Sequence, residues 1–332
     1  MRSRRRKDLK SLVRQSLVIA TTLPLLLTCL AATPCSAQFD GDKPKGGIQL
    51  GRPVTQQWKV GVEVTAVGPC TGLFATVPVP TDWPEQQVRI SNEEVSQQVR
   101  RVSYRVLDNG VKQMLVSIPF LAPGESASAL ITFEVTKAPI TGPKETGAFV
   151  VPKRVSREIR PFLAQSPYIE VRHSKIRAAA REAIGDAEGG WRKAETIYDW
   201  VRDKVEYQDG KLKGAAAALK DGTGDCEELT SLFIALCRVN KIPARTVWVP
   251  GHCYPEFYLL DAEGEGHWFP CQAAGTRAFG SMPDDRPILQ KGDNFRVPEK
   301  KERQRYVAEL LKVKSLRGNP PKVRYVRQLL PR

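Results

Sequence analysis

Histidine is scarce in this chain, at three residues in 332. No Asp-rich loop with calcium-ligand spacing is present, which argues against a calcium-gated enzyme. Basic and aromatic residues are not interleaved in the nucleic-acid-binding manner, so no nucleic-acid partner is expected. There is no internal repeat, no cofactor motif is found and no cofactor is expected. Past residue 32 no apolar run reaches membrane-spanning length.

Seven cysteines are present, and Cys29 and Cys35 lie in a distinctive N-terminal stretch. There Arg2, Arg4, Arg5, Arg6, Lys7, Lys10 and Arg14 precede an apolar run from Leu17 to Ala32, and Cys35-Ser36-Ala37 follows. A basic segment, an apolar core and a small-residue site read as a secretory signal peptide over residues 1–37, cleaved after Ala37. The expectation is an exported protein, periplasmic or secreted, with no stable membrane span after cleavage. Five cysteines then remain, Cys70, Cys226, Cys237, Cys253 and Cys271, and an odd number in an exported protein leaves at least one unpaired.

The net charge of +15 is uneven. Residues 1–37 carry seven basic side chains and one acidic, and residues 300–332 carry eleven and two, so the body between them is neutral. A basic C-terminal tail over 301–332 is expected, suited to an anionic envelope component.

Residues 38–52 are rich in Gly, Pro, Asp and Lys and read as a flexible linker. From 53 to 138 short β-branched runs alternate, as in Trp58–Val64, Leu73–Val79, Lys112–Ile118 and Ala129–Val135. Asp108-Asn109-Gly110 supplies the positive φ of a tight hairpin. An all-β sandwich is expected there, followed by a linker over 139–165. Residues 166–300 turn helical and then strand-like, an α+β domain. Its helices are read as 174–185, 191–205, a short Ala-rich one within 210–220, and one from Cys226 stopped by Pro243.

The chemistry centres on Cys226. Gly224-Asp225 delivers it to the start of a helix whose apolar positions are Leu229, Leu232, Phe233, Leu236 and Val239. Unpaired N–H groups and the positive end of the helix dipole favour a thiolate there. Asp225 is placed to cap that helix. A nucleophilic thiol needs an imidazole, and the imidazole an orienting group. If 252–260 and 268–272 form a hairpin in which His252 faces Gln272, then Cys253 faces Cys271 on the other side of the sheet. Cys253 and Cys271 are then either a cross-strand disulfide or two packed thiols. A metal site built from His252, Cys253, His267 and Cys271 is disfavoured, because alternation divides those ligands between two faces. Cys237 reads as core.

Gly224-Asp225-Cys226-Glu227-Glu228, Lys241-Ile242-Pro243-Ala244-Arg245, His252-Cys253-Tyr254-Pro255-Glu256 and Trp268-Phe269-Pro270, with Tyr198–Val201 and Tyr207, resemble the core of the transglutaminase-like superfamily. The resemblance runs from Trp191 to Gln272. It implies a papain-like α+β fold, helices on a small antiparallel sheet, and a Cys-His-Asp triad with Cys226 as nucleophile and His252 as base. Asp225, Glu256, Trp268 and Tyr207 fall at oxyanion or supporting positions. The third member departs, since Gln272 stands where the family carries aspartate.

Two functions remain open in the sequence. One is an exported cysteine enzyme acting on amide or peptide bonds of a protein or peptide substrate, hydrolytic rather than crosslinking. The other is a catalytically impaired binding module of the cell envelope.

Overall fold

A computed structural model describes residues 47–331; the expected signal peptide and most of the 38–52 linker lie outside the described residues. In chain order come β1 (Gln49–Leu50), β2 (Val54–Thr65), β3 (Cys70–Val79), β4 (Gln86–Val95), β5 (Arg101–Val106), β6 (Lys112–Leu121), β7 (Ser126–Lys137) and β8 (Ile140–Thr141). Then come α1 (Ser174–Ile184), α2 (Gly190–Lys204), β9 (Glu206–Tyr207), α3 (Ala215–Asp221), β10 (Thr223–Gly224) and α4 (Cys226–Val239). The chain closes with β11 (Ala244–Val249), β12 (His252–Leu260), β13 (Gly266–Pro270), β14 (Gln290–Lys291), β15 (Leu310–Leu316) and β16 (Lys322–Leu329).

The β-sandwich consists of two four-stranded antiparallel sheets, ordered β15-β3-β6-β5 and β16-β2-β7-β4. Alternation puts one face of each strand inward. Val60, Val62 and Val64 of β2 meet Leu73, Ala75 and Val77 of β3, with Val116 and Ile118 of β6 and Ile131 and Phe133 of β7 in the same core. The β5–β6 hairpin turns through Asn109 at φ 62° and Gly110 at φ 78°, the left-handed conformations that asparagine and glycine accept at least cost.

Two of these eight strands come from the stretch expected to be a free basic tail. Strand β16 pairs with β2 from Lys322 opposite Thr65 to Leu329 opposite Trp58, and β15 pairs with β3. The correction has a physical cause. Both are edge strands, so only one face meets the core, through Leu311, Val313 and Tyr325. Their outward positions, Lys312, Lys314, Lys322 and Arg324, are exposed. Lysine-rich edges are how sheets resist pairing with other chains, and in the sequence they resemble a solvated tail. The sandwich is therefore built from both sides of the α+β region in sequence.

In the α+β region α4 is central and buried all round, with Leu229, Leu232, Phe233, Ile234, Leu236 and Cys237 in one core. It packs on β12 of the antiparallel sheet β13-β12-β11-β14 and is flanked by α1, α2 and α3. Its C-terminus is held by buried Arg238, which donates to the Ala244 and Ala164 carbonyls and pairs with Asp293 at 2.7 Å. A cation at this end also suits the helix dipole.

Buried ion pairs tie the sandwich to this region. Lys291 Nζ lies 2.5 Å from Glu85 of the sandwich and 2.7 Å from Glu256 of β12, which also pairs with Arg245 at 2.7 Å. Burial opposes ionisation of Glu256, but Arg245 and Lys291 outweigh it and hold the carboxyl below the usual carboxylate range. Trp268 lies over the Arg245 guanidinium, 4.0 Å from ring centroid to carbon.

Two outcomes follow from these contacts. Removing residues 310–332 strips an edge from both sheets and exposes the core behind them, so the shortened protein should melt well below the full chain and scatter light; a true tail would leave the melting temperature unchanged. Replacing Glu256 with Ala leaves buried Lys291 and half-buried Arg245 each short of a partner and should cost about 3–5 kcal/mol in denaturant unfolding.

Candidate active site

The turn before α4 is specified residue by residue. A Cβ on Gly224 would lie 2.5 Å from that of Glu228, so only glycine lets the chain pass there. Asp225 is the N-cap: its carboxylate accepts the Glu227 N–H at 2.7 Å, while Glu228 accepts the Asp225 N–H at 3.2 Å, a capping box. Glu228 also accepts from the Lys213 N–H at 2.9 Å, which fixes the incoming loop. Asp225 thus serves the helix and does not reach His252 as an orienting group among its hydrogen bonds.

Cys226 is the first residue of the helix and is half-buried. Opposite it, β11 turns into β12 through Pro250-Gly251, with Val249 paired to His252 and Gly251 at φ 69°. This hairpin delivers His252 and Cys253 to the helix N-terminus. The Cys253 thiol faces the Cys226 sulfur and its hydrogen bond does most to lower the Cys226 pKa, to about 4; burial opposes this, and His252 and the Cys253 backbone N–H add to the lowering. The Cys253 sulfur also lies 3.5 Å from the Cys226 carbonyl oxygen.

His252 has two polar neighbours. Its Nε2 is 3.1 Å from Gln272 Oε1, and the Cys226 thiol is its other polar neighbour, for which Nδ1 is the remaining nitrogen. Burial disfavours the imidazolium, but the hydrogen bonds to Cys226 and Gln272 prevail and raise the His252 pKa. The arrangement is a thiolate–imidazolium pair whose cation is oriented by a neutral carbonyl.

Gln272 is itself held. Its carbonyl accepts from Tyr198 Oη at 2.8 Å and from the Arg202 guanidinium at 3.0 Å, and its N–H donates to Ala278 at 2.7 Å. Both supporting side chains lie on α2. Tyr198 stands in the motif Tyr198-Asp199-Trp200-Val201, yet nothing in the sequence tied it or Arg202 to Gln272.

The hairpin register differs from expectation by two residues. Strands β12 and β13 pair Glu256 with Pro270, and the Cys271 N–H donates to Pro255 O at 3.0 Å. A shift of two preserves the faces, so His252 and Gln272 still share one and meet diagonally. The same shift takes Cys253 and Cys271 out of the facing position in which either a disulfide or a pair of packed thiols was open. Both cysteines are free: Cys271 is in the helix–sheet core with Pro255 across from it, and Cys253 is against Cys226.

The other expected site residues divide by position. Glu256 and Trp268 brace the sheet through Arg245 and are not in contact with Cys226. Tyr207, more than half exposed, donates to Asp209 at 2.9 Å and lines the cleft on both sides of His252. His267 pairs with Asp261 at 2.6 Å, away from the site, so the four ligands considered for a metal are not brought together. Among the described residues no group of three or more His, Cys, Asp or Glu could hold a metal ion.

Two cavities flank the pair. One, of about 700 Å³, is lined by Arg202, Tyr207, His252, Gln272 and Arg286. The other, of about 420 Å³, holds Asp225, Cys226, Glu227, Arg305, Tyr306 and Arg327. Burial raises the Glu227 pKa to about 7 although Arg305 pairs with it and works the other way. Arg305, Tyr306 and Arg327 come from the stretch expected to be a tail, and only the β15–β16 pairing brings them here.

An α+β core of this topology, with a thiol at the N-terminus of its central helix and an imidazole on the neighbouring strand, is the arrangement of papain-like cysteine enzymes. Residues 177–273 match the family model of the transglutaminase-like superfamily. No curated protein matches the chain. Among solved structures, a candidate cysteine protease from Cytophaga hutchinsonii shares 18% identity with a TM-score of 0.58, covering 86% of this chain and 93% of that one, and it supports the fold. A candidate protease from Parabacteroides distasonis shares 9% identity with a TM-score of 0.28, over 69% of this chain and 48% of that one.

With the Cys226 thiol ionising near pH 4, its alkylation by iodoacetamide should stay flat from about pH 5 to 7 and fall away as pH drops through 4, whereas an ordinary thiol gains about tenfold per pH unit in that range. Tyr198→Phe, which removes the hydroxyl that holds Gln272, should lower stability by about 1–3 kcal/mol.

Proposed function

We propose that the chain is an exported cysteine enzyme that hydrolyses amide or peptide bonds in a protein or peptide substrate. The observation that carries this reading is the imidazole of His252 standing between the Cys226 sulfur and Gln272 Oε1, at 3.1 Å from the latter. In the proposed mechanism the Cys226 thiolate attacks the carbonyl carbon, and the oxyanion draws on the Cys226 backbone N–H at the helix N-terminus. His252, protonated in the resting pair, gives its proton to the leaving amine as the C–N bond breaks. It then takes a proton from water, whose oxygen attacks the acyl-enzyme and releases the acid and the free thiolate.

Gln272 is the orienting member in this reading. Its carbonyl holds the Nε2–H and fixes the tautomer, with Tyr198 and Arg202 anchoring its backbone. A neutral third member is compatible with turnover where the resting state is already a thiolate–imidazolium pair, because no net charge has to be created during the attack. Export rests on the sequence of residues 1–37. The outward lysines of β15 and β16 offer a basic surface for an anionic envelope component.

The neutral Gln272 also favours a second reading, a binding module that has lost turnover. Incubation of the wild-type chain and Cys226→Ala with a casein or peptide mixture, with products identified by mass spectrometry, separates the two. Cleaved or deamidated products from the wild type alone support the enzyme. Incorporation of an added primary amine in place of water marks transamidation. No product, with Cys226 alkylating like an ordinary thiol, leaves the binding module.

A further inference from the structure

Cys253 is more than a neighbour that packs against the site. It is the second residue of β12, its side chain is on the strand face that meets α4, and it is 1% exposed. Its sulfur lies 3.5 Å from the Cys226 carbonyl and faces the Cys226 sulfur. Cys226 itself opens onto the 420 Å³ cavity. One thiol is thus reachable from solution and the other waits behind it.

We propose that Cys226 and Cys253 are a reversible oxidation pair, in which a peroxide oxidises Cys226 and Cys253 captures the product as an intramolecular disulfide. The inference rests on Cys226 being the reactive thiolate of the preceding section.

The chemistry is balanced in two steps. The Cys226 thiolate attacks one oxygen of a hydroperoxide; an S–O bond forms, the O–O bond breaks, and hydroxide leaves and is protonated to water. The sulfur has given up two electrons and the peroxide has taken them. The Cys253 sulfur then attacks the sulfenic sulfur; an S–S bond forms, the S–O bond breaks, and the hydroxyl departs as water with the Cys253 proton. Exchange with two equivalents of an external thiol restores both cysteines.

The surroundings suit each partner to its part. A low-pKa, accessible sulfur is the form that peroxides oxidise. Burial, and then the neighbouring Cys226, push the Cys253 thiol well above the usual range, so it remains protonated and is not oxidised first. The remaining cysteines lie elsewhere: Cys237 is three turns along α4, Cys271 is on β13's side of the helix–sheet core, and Cys70 is in the sandwich. With the Cys253 sulfur already 3.5 Å from the Cys226 carbonyl oxygen, the two thiols are neighbours in the fold, and the pair shields Cys226 from irreversible oxidation to the sulfinic acid.

The test uses the full chain, reduced and desalted, with wild type, Cys253→Ser and Cys253→Ala compared after thermal melts confirm folding. Serine retains a donor to the thiolate but cannot form the bond. Each protein is alkylated with iodoacetamide before and after a several-fold molar excess of hydrogen peroxide, then digested without reductant for mass spectrometry. The expected wild-type result is a linked Cys226–Cys253 peptide lighter by two hydrogens, loss of Cys226 alkylation, and its full return with dithiothreitol. Both variants should show no linked peptide, and Cys226 should gain two oxygens that dithiothreitol does not remove. Fast alkylation before peroxide but no linked peptide in the wild type, with sulfinic acid formed to the same extent as in Cys253→Ser, overturns the oxidation pair and leaves the nucleophile standing. Slow, ordinary alkylation before peroxide overturns both.

Discussion

The candidate site depends on the packing of α4 against β12. A helix N-terminus carries unpaired N–H groups and partial positive charge, and a strand beginning at the same level can set two side chains against it. Here the strand supplies His252 and Cys253 and the helix supplies Cys226. Each element is fixed independently of the site, α4 by burial on all sides, its capping box and the Arg238–Asp293 pair, β12 by its two strand neighbours, β11 and β13, and the Glu256 ion cluster. The sulfur and the imidazole therefore meet without either having to move, which is the preorganisation that nucleophilic catalysis needs.

Ionisation follows from that contact. Removing a thiolate from water is unfavourable, and at Cys226 burial does oppose it. The opposing gains come from donors already aimed at the sulfur, the Cys253 thiol foremost and then His252. Charge on the imidazole is kept by the sulfur on one side and the Gln272 carbonyl on the other. Glutamine in place of aspartate then changes the balance less than it would in a serine triad, because the negative partner of the imidazolium is the nucleophile itself.

The parts of this protein that were legible in the sequence were those governed by local periodicity and caps. The alternating runs of the sandwich, the Asn109-Gly110 turn, the α4 boundary at Asp225 and the common face of His252 and Gln272 all follow from spacing within a few residues. The family motifs gathered Cys226 and His252 for the same reason. What the sequence concealed was long-range. Strands β15 and β16 bury one face only, so their lysines and arginines read as solvent, and their pairing with β2 and β3 spans more than 200 residues. With them went Arg305, Tyr306 and Arg327 in the cleft. The anchoring of Gln272 by Tyr198 and Arg202 joins residues about 70 apart, and the two-residue register shift that moves Cys253 from Cys271 to Cys226 is invisible to an alternation rule that sees only parity.

The central claim is that Cys226 and His252 are one ionised pair, and the most direct measurement is an NMR pH titration of the His252 ring nitrogens in the wild type and in Cys226→Ala. The account predicts that His252 titrates above the usual histidine value of about 6.5 in the wild type, and that the pKa falls when the sulfur is removed and burial is left to act alone. An identical titration in the two proteins would contradict it.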